Sequence, residues 1–240
     1  LLLLAFALRQ LPRAAIGPGA ILGLVLFGAY WCQTRGLLTI SPSRSAFLTG
    51  LYVVFVPFAD RVLYSTRIPF AAWIGSALAL FGTTLLIGGV DARPTAGDLL
   101  TIGCAVCSAL HVVLSAKVSV DKPALGLAAV QVIVVGLAAA PASAFAPRVT
   151  WSRDVAFAIV FTAIVTTALA FVALMWGQAR VTATEAAVIL AFEPVAASIT
   201  SIVFGHEPVT AMFVTGAALI LMAIVLSQLP ESPRRDPLAQ

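Results

Sequence analysis

The residues best placed to do chemistry are a glutamate and a proline side by side in a long apolar run. Glu193 and Pro194 interrupt the run from Thr184 to Phe204. A carboxylate within a stretch of membrane length is costly to keep, so it usually has a function. Pro194 has no amide hydrogen to donate to the carbonyl of Leu190, which predicts a kink with a free carbonyl beside the carboxylate. Broken helices of this kind form substrate and ion sites, whereas the alternative for Glu193 is an interhelical hydrogen bond.

A second group of polar residues repeats at helical spacing between residues 98 and 117. Its members lie three or four positions apart and share one helix face: Thr101, Cys104, Ser108, His111 and Ser115. Such a face either lines a wet cavity or joins helices through hydrogen bonds. His111 is the one ring in the predicted spans that titrates near neutral pH. It is therefore a candidate for proton handling or for a structural hydrogen bond.

Three smaller sets of residues could extend such a site. Ser45, Thr49 and Tyr52 form a shorter polar stripe. Trp176, near a helix end, could stack on an organic substrate or anchor the helix at the membrane interface. Glu207 follows the break at Gly205, where an acid can also satisfy the dipole of the next helix.

The positions of the cysteines predict that these side chains pack between helices and do not form a metal or redox centre. All three lie in apolar runs, and Cys104 and Cys107 have no second pair and no nearby acid. The sequence also lacks the Gly-x-x-x-x-Gly-Lys-Ser/Thr pattern of a phosphate-binding loop. We therefore predict no cofactor, no metal site and no catalytic residue.

The composition is that of a protein embedded in a membrane. Of the 240 residues 61% are hydrophobic and 10% are charged, with a mean hydropathy of +1.06. The net charge of +4 comes from scattered loop residues, which excludes a nucleic-acid surface. Runs of about 20 apolar residues can each cross a bilayer. After a partial span at Leu1–Leu8, the predicted spans are Pro18–Leu38, Ser45–Tyr64, Ala71–Gly89, Asp98–Lys117, Ala124–Phe145, Asp154–Gln178, Thr184–Phe204 and Ala211–Gln228.

An internal repeat relates the two halves of the chain. At an offset of 141 residues the matching pairs are Gly36 and Gly177, Ala46 and Ala187, Tyr52 and Glu193, and Gly75 and Gly216. The predicted fold class is an all-α polytopic membrane protein with two five-helix repeats, ten helices in the intact protein. Because five is odd, the second repeat enters the membrane in the opposite sense. Residues 1–90 are the first repeat, without its first helix and most of its second, 96–228 the second repeat, and 229–240 a cytoplasmic tail.

Basic residues suggest how the chain crosses the membrane. With the C-terminus in the cytoplasm, nine Lys and Arg residues lie on the cytoplasmic side and five on the other. Cytoplasmic loops carry the excess of basic residues in membrane proteins. The distribution predicts a cytoplasmic C-terminus.

Three ordered motifs carry a family resemblance. They are Phe192-Glu193-Pro194-Val195, then Phe204-Gly205-His206-Glu207-Pro208, and then Gly216-Ala217-Ala218-Leu219-Ile220. This order resembles the second repeat of EamA-type transporters of the drug/metabolite transporter superfamily. The run from Ala46 to Pro57, followed by Trp73-Ile74-Gly75, is similar to the first repeat, although Thr66 stands at the counterpart of Glu207. In this comparison Pro194, Gly205, Glu207 and Gly216 are motif residues with structural roles.

The resemblance implies export or exchange of small metabolites or drugs across the cytoplasmic membrane. We expect a secondary transporter that works by alternating access, with a cavity lined by Ser45, Thr49, Tyr52, Ser108, His111, Trp176 and Glu193. The expected partners are a small-molecule substrate, protons as candidate coupling ions, and the lipid bilayer, with homo-oligomer formation left open and no nucleic acid. Without the first helix to close the cavity, the 240-residue chain is not expected to transport on its own.

Two functions of other classes are the alternatives. The chain could be a non-catalytic structural subunit of a membrane complex, in which case its centre would be dry and packed. It could also be an intramembrane enzyme, but it contains no Gly-x-Ser-x-Gly, no His-Glu-x-x-His and no facing pair of aspartates within its spans. We therefore predict that it is not an enzyme.

Overall fold

The described part of the chain is a bundle of helices. The structure, a computed structural model, describes residues 13–40, 45, 48–87, 95–143, 150–193, 195, 196, 199, 203 and 210–227, and no strand occurs among them. The helices are α1 (Arg13–Gly36), α2 (Tyr52–Tyr64), α3 (Phe70–Ile87), α4 (Ala96–Val118), α5 (Ala124–Ser143), α6 (Arg153–Gln178), α7 (Ala183–Leu190) and α8 (Ala211–Ser227). Leu1–Leu8, Pro194, Gly205, Glu207 and the tail 229–240 lie outside the described residues.

Helix length and composition fit a membrane. Within the described residues, four helices are long and apolar enough to cross a bilayer: α1, α4 with its continuation to Asp121, α5 and α6. Shorter apolar helices occur in α3 and α8. Each predicted span from Pro18 onward contains helical residues among those described, although the structure describes a regular helix in Thr184–Phe204 only as far as Leu190. The all-helical, polytopic fold predicted from the sequence is confirmed.

Two acidic residues near helix starts cap their helices through hydrogen bonds with backbone amides. At the start of α4, the Asp98 carboxylate accepts a hydrogen bond from the Thr95 amide (2.5 Å), and the Thr95 hydroxyl accepts one from the Asp98 amide (3.3 Å). Glu185 and Thr182 form the same reciprocal pair at the start of α7. Such capping boxes satisfy amide groups that have no partner inside the helix. The roles of Asp98 and Glu185 are thus explained by local structure.

The long helix α6 is not uniform. Its middle section, Thr162–Leu169, is π-helical, whereas the flanking sections are α-helical. The Thr166 hydroxyl donates to the Thr162 carbonyl at 3.0 Å, a side-chain bond that competes with the regular backbone ladder. The sequence predicts one continuous span here and gives no sign of this irregular section.

Glycines let α1 approach its neighbours closely. A Cβ at Gly23 would lie 2.9 Å from backbone atoms of Gln131 on α5, so only a glycine fits without a shift. At the other end of α1, Gly36 lies against Thr101 and Gly97 of α4. Small residues at contacts of this kind are the usual means of packing helices in membranes. Helix α1 is thereby held between α4 and α5.

Helices that the repeat makes equivalent pack against each other. The offset of 141 residues superposes α3 on α8, and these two form an extensive contact in which Gly82 lies against Gly216. Helix α2 contacts α7, and the two helices belong to predicted spans that the same offset relates, Ser45–Tyr64 and Thr184–Phe204. Pairing of equivalent helices is the arrangement expected around a pseudo-twofold axis.

The same offset makes α1 and α6 equivalent, but their surroundings differ. In the apolar part of α1, 33% of the residues are buried, against 6% in α6. Helix α1 packs against both α4 and α5, whereas most side chains of α6 before Phe171 are exposed within the described structure. The described bundle is therefore asymmetric.

Candidate substrate site

A carboxylate and two phenols come together between helices of both halves. Tyr30 lies on α1, Tyr52 begins α2, and Glu193 follows the end of α7. The Glu193 carboxylate is close enough to both phenols to interact with them electrostatically. Glu193 is exposed and Tyr30 is 42% exposed. The carboxylate therefore lies within electrostatic range of two phenols on other helices and is exposed at the same time.

Tyr52 links the two halves directly. Its hydroxyl donates to the Ala187 carbonyl on α7 at 3.4 Å. Its ring packs against two buried apolar clusters, one around Val56 and Ala109 and the other around Val53 and Val188. These contacts fix the ring between the two halves.

Helix α4 adds a thiol and a hydroxyl. The Cys104 sulfur lies 3.9 Å from the Ser108 hydroxyl oxygen and within electrostatic range of Tyr30. Thr49 lies beside the Cys104 thiol, although its hydroxyl has no partner of hydrogen-bond geometry. Ser45, one turn before Thr49, is buried and its hydroxyl is also unpartnered. Unpaired buried hydroxyls are costly unless something else satisfies them.

We call Tyr30, Thr49, Tyr52, Cys104, Ser108 and Glu193 the central cluster. Of the predicted cavity residues, the structure brings together Thr49, Tyr52, Ser108 and Glu193. Tyr30 was not among the predicted cavity residues, and Cys104 was predicted to be a packing residue. The available signal for both was a polar group inside a predicted span.

His111 is engaged by a different partner. Its Nε2 donates to Oε1 of Gln131 on α5 at 2.8 Å, and its ring meets Phe171 of α6 edge to face at 6.4 Å. His111 is 4% exposed and Gln131 is fully buried. This geometry supports the structural hydrogen bond, one of the two roles predicted for His111. The Nε2 of Gln131 and the hydroxyl of Ser115 have no partner.

Trp176 and Gly216 have their own local contacts. The Trp176 ring is 57% exposed and stacks on the Arg180 guanidinium at 3.7 Å, and Arg180 also donates to the Trp176 carbonyl. That arrangement fits the interfacial role foreseen for Trp176. Gly216 lies in the contact between α3 and α8.

A buried ion pair joins α2 to α4 away from the predicted site residues. Asp60, 2% exposed, lies 3.6 Å from the Lys117 ammonium and accepts a hydrogen bond from the Thr66 hydroxyl at 3.1 Å. Lys117 also lies 5.0 Å from the centre of the Tyr64 ring. Asp60 was not among the predicted site residues, although a lone acid in an apolar run usually has a function or an ion-pair partner. The pair ties the first half to the second.

The described residues offer no metal centre. They contain no group of three His, Cys, Asp or Glu side chains placed to hold an ion. The cysteines are free, with Cys107 against Gly28 and Cys32 against Gly103 at the contact of α1 with α4.

Comparison with known proteins adds the family context. The model of the EamA-like transporter family matches residues 1–88 and 95–229. An uncharacterised transporter of Archaeoglobus fulgidus is 28% identical over 213 residues, which cover 88% of this chain and 68% of that protein. A crystal structure with 22% sequence identity matches the fold with a TM-score of 0.82, covering 95% of this chain and 83% of that one.

Proposed function

Because the chain belongs to the EamA-like transporter family and is a membrane transporter, we propose that it moves small organic metabolites or drugs by alternating access. It works as an exporter or exchanger in the cytoplasmic membrane, with its C-terminus in the cytoplasm. Energy comes from a solute or proton gradient, since the sequence has no phosphate-binding loop for ATP.

The observation that carries this proposal is the composition of the central cluster. Tyr30 and Tyr52 belong to the first half, whereas Cys104, Ser108 and Glu193 belong to the second. Substrate sites of secondary transporters lie between their repeats, where rocking of one half against the other exposes them to either side. A site shared by both halves is rebuilt whenever the halves move, which couples binding to the change of access.

The Tyr52 hydrogen bond supports the same function. It runs from the first half to a backbone carbonyl of the second, and at 3.4 Å it is long. A long bond between neutral groups contributes little stability. This hydrogen bond therefore adds little to the free energy needed to move the two halves apart.

The test is uptake into liposomes by the full-length protein, screened with labelled amino acids, nucleosides and organic cations. For the solute that is taken up, we expect Glu193→Gln to lower the rate about tenfold or more, because it removes the charge of the cluster. Asp121→Asn is the matched control, since Asp121 is an exposed acid between α4 and α5. Equal rates for both variants and the unchanged protein would place the substrate elsewhere.

A further inference from the structure

An ion pair joins α2 to α4 at the end of the bundle where Val120 lies. One oxygen of the Asp60 carboxylate is 3.6 Å from the Lys117 ammonium, which also lies 5.0 Å from the centre of the Tyr64 ring. The sequence repeat assigns α2, with Asp60 and Tyr64, to the first half and α4 to the second. Both contacts of Lys117 therefore cross between the halves. We call Asp60 and Lys117 the α2–α4 ion pair.

The two charges of the α2–α4 ion pair can separate without either being left unsatisfied. The Lys117 side chain is 41% exposed, so water can hydrate its ammonium when the contact breaks. Asp60 is 2% exposed, but the Thr66 hydroxyl donates to the same carboxylate oxygen at 3.1 Å. Thr66 follows α2 within the first half and moves with it. A buried carboxylate that keeps a hydrogen bond is less costly than one that has none.

The end of α2 is shaped to hold Thr66 beside Asp60. Ser65, directly after the helix, has a left-handed conformation with φ 53° and ψ 27°. Its amide donates to the Arg61 carbonyl at 3.0 Å and so closes the last turn. A left-handed residue at this position reverses the chain after a helix. The hydrogen bond from Thr66 to Asp60 thus depends on α2 and its own end, and not on α4.

Behind the ion pair, α2 meets the second half through small apolar side chains. Val56, one turn before Asp60, is fully buried. It belongs to a cluster whose other buried members lie on α4 and α7: Ala109, Val112, Val113, Ala116, Ala183, Ala186 and Ala187. Contacts between apolar side chains contain no hydrogen bonds that must be broken when helices move apart. The α2–α4 ion pair adds a polar contact that resists opening at this end.

The repeat does not supply the same acid in the second half. At the offset of 141 residues, the counterpart of Asp60 is Ser201. In a transporter built from two inverted halves, an acid at both positions would give equivalent contacts at both ends of the bundle. An ion pair at one end alone lowers the free energy of the conformation that is closed at that end. The sequence therefore predicts a bias between the two conformations.

Resting on the proposed function, we propose that the α2–α4 ion pair holds this end of the bundle closed and favours the conformation that is open on the opposite side. Opening separates Lys117 from Asp60, while Thr66 keeps its hydrogen bond to the carboxylate. A role in stability alone explains the pair poorly, because a buried ion pair often stabilises a fold no more than apolar side chains of similar size. The pair is suited to set which conformation is populated.

The experiment measures how often this end opens. Val56→Cys places a thiol at a fully buried position behind the ion pair. In the purified full-length protein, its rate of labelling by a water-soluble maleimide follows the population of the open conformation, and the unchanged protein with its native cysteines gives the background. We expect Asp60→Asn and Lys117→Met each to raise the labelling rate of Val56→Cys about tenfold.

Further variants separate this role from a general loss of stability. Lys117→Arg keeps the charge and should keep labelling slow. Lys122→Gln removes a positive charge just after α4 and should leave the rate unchanged. The double variant of Asp60→Asn and Lys117→Met leaves no unpaired buried charge, so it should be more stable to heat than Lys117→Met alone. We expect it to be labelled about tenfold faster all the same.

Two results would overturn the inference. One is that the double variant is labelled as slowly as Val56→Cys alone. The other is that labelling follows thermal stability across the variants, whether or not the ion pair is present. Labelling needs no transported solute, so the two proposals fail separately. Unchanged labelling in a protein that takes up a solute rejects this role of the ion pair and leaves the transport function standing. Faster labelling in a protein that takes up none supports the role and counts against the function.

Discussion

Two ionisable side chains within the bundle, Glu193 and His111, differ in burial and in hydrogen bonding. His111 is buried and hydrogen-bonded to Gln131, with Phe171 against its ring. Glu193 is exposed and has no ion pair among the described residues. A polar group whose partner lies within the protein is satisfied before any ligand arrives. Glu193 is therefore the better candidate for substrate contact, and His111 for stabilising the bundle.

The His111–Gln131 pair makes a prediction about stability. Each of His111→Leu and Gln131→Met should lower the free energy of unfolding by about 1–3 kcal/mol, because the remaining partner is buried without a hydrogen bond. The double variant should cost clearly less than the sum of the two, since it leaves no orphaned group. Thermal unfolding in detergent measures all three.

Two outcomes would contradict this structural role. Additive costs would mean that the two side chains are not coupled. A double variant that is as stable as the original protein but shows an altered pH profile of uptake would assign proton handling to His111.

The sequence could indicate part of the site, and the rest depends on contacts between helices. Glu193, Tyr52 and Ser108 were selected because a polar group in an apolar run is rare and expensive. Tyr30 was not selected, because nothing within α1 shows that it lies within electrostatic range of Glu193. The partners Gln131 of His111 and Lys117 of Asp60 lie on other helices. No spacing within one helix reveals such partners.

At the scale of elements, the spans were predictable because their signal is simple. An apolar run of bilayer length located α6 to within one residue, predicted at Asp154–Gln178 and found at Arg153–Gln178. The π-helical section of α6 was not predictable from the sequence. In such a section the backbone hydrogen bonds span five residues instead of four, and this short change leaves the spacing of apolar residues almost the same.

The contact of α3 with α8 makes a prediction at this scale. A Cβ at Gly82 would lie 2.7 Å from the Gly216 carbonyl oxygen, which is backbone and cannot rotate away. Gly82→Ala should therefore lower the free energy of unfolding by about 1–3 kcal/mol. Gly136→Ala on α5 is the matched control, because a Cβ there meets nothing within 4 Å. It should be neutral or slightly stabilising, since alanine favours helix. Equal thermal stability of the two variants would refute the close approach.

At the scale of the whole molecule, two helices that the repeat makes equivalent are covered to different extents. On α1, Leu22 and Leu26 are buried in a cluster with Leu127 of α5. Their counterparts on α6 at the same offset are Ala163 and Thr167, which line an open groove together with Ala158, Ile159 and Thr162. The repeat relates α1 to α6 but does not say which helices pack against each of them. It could therefore predict that α1 and α6 are equivalent, but not that one is covered and the other exposed.

The arrangement across the membrane makes the last prediction. Val120, between α4 and α5, and Trp151, between α5 and α6, are 63% and 73% exposed and lie at opposite ends of α5. The excess of basic residues on its side of the membrane predicts that Val120 faces the cytoplasm, so an impermeant maleimide added to intact cells should label Trp151→Cys and not Val120→Cys. Permeabilised cells should label both, and the unchanged protein, with its native cysteines, gives the background. Labelling of Val120→Cys alone would reverse the orientation, and equal labelling of both in intact cells would mean that α5 does not cross the bilayer.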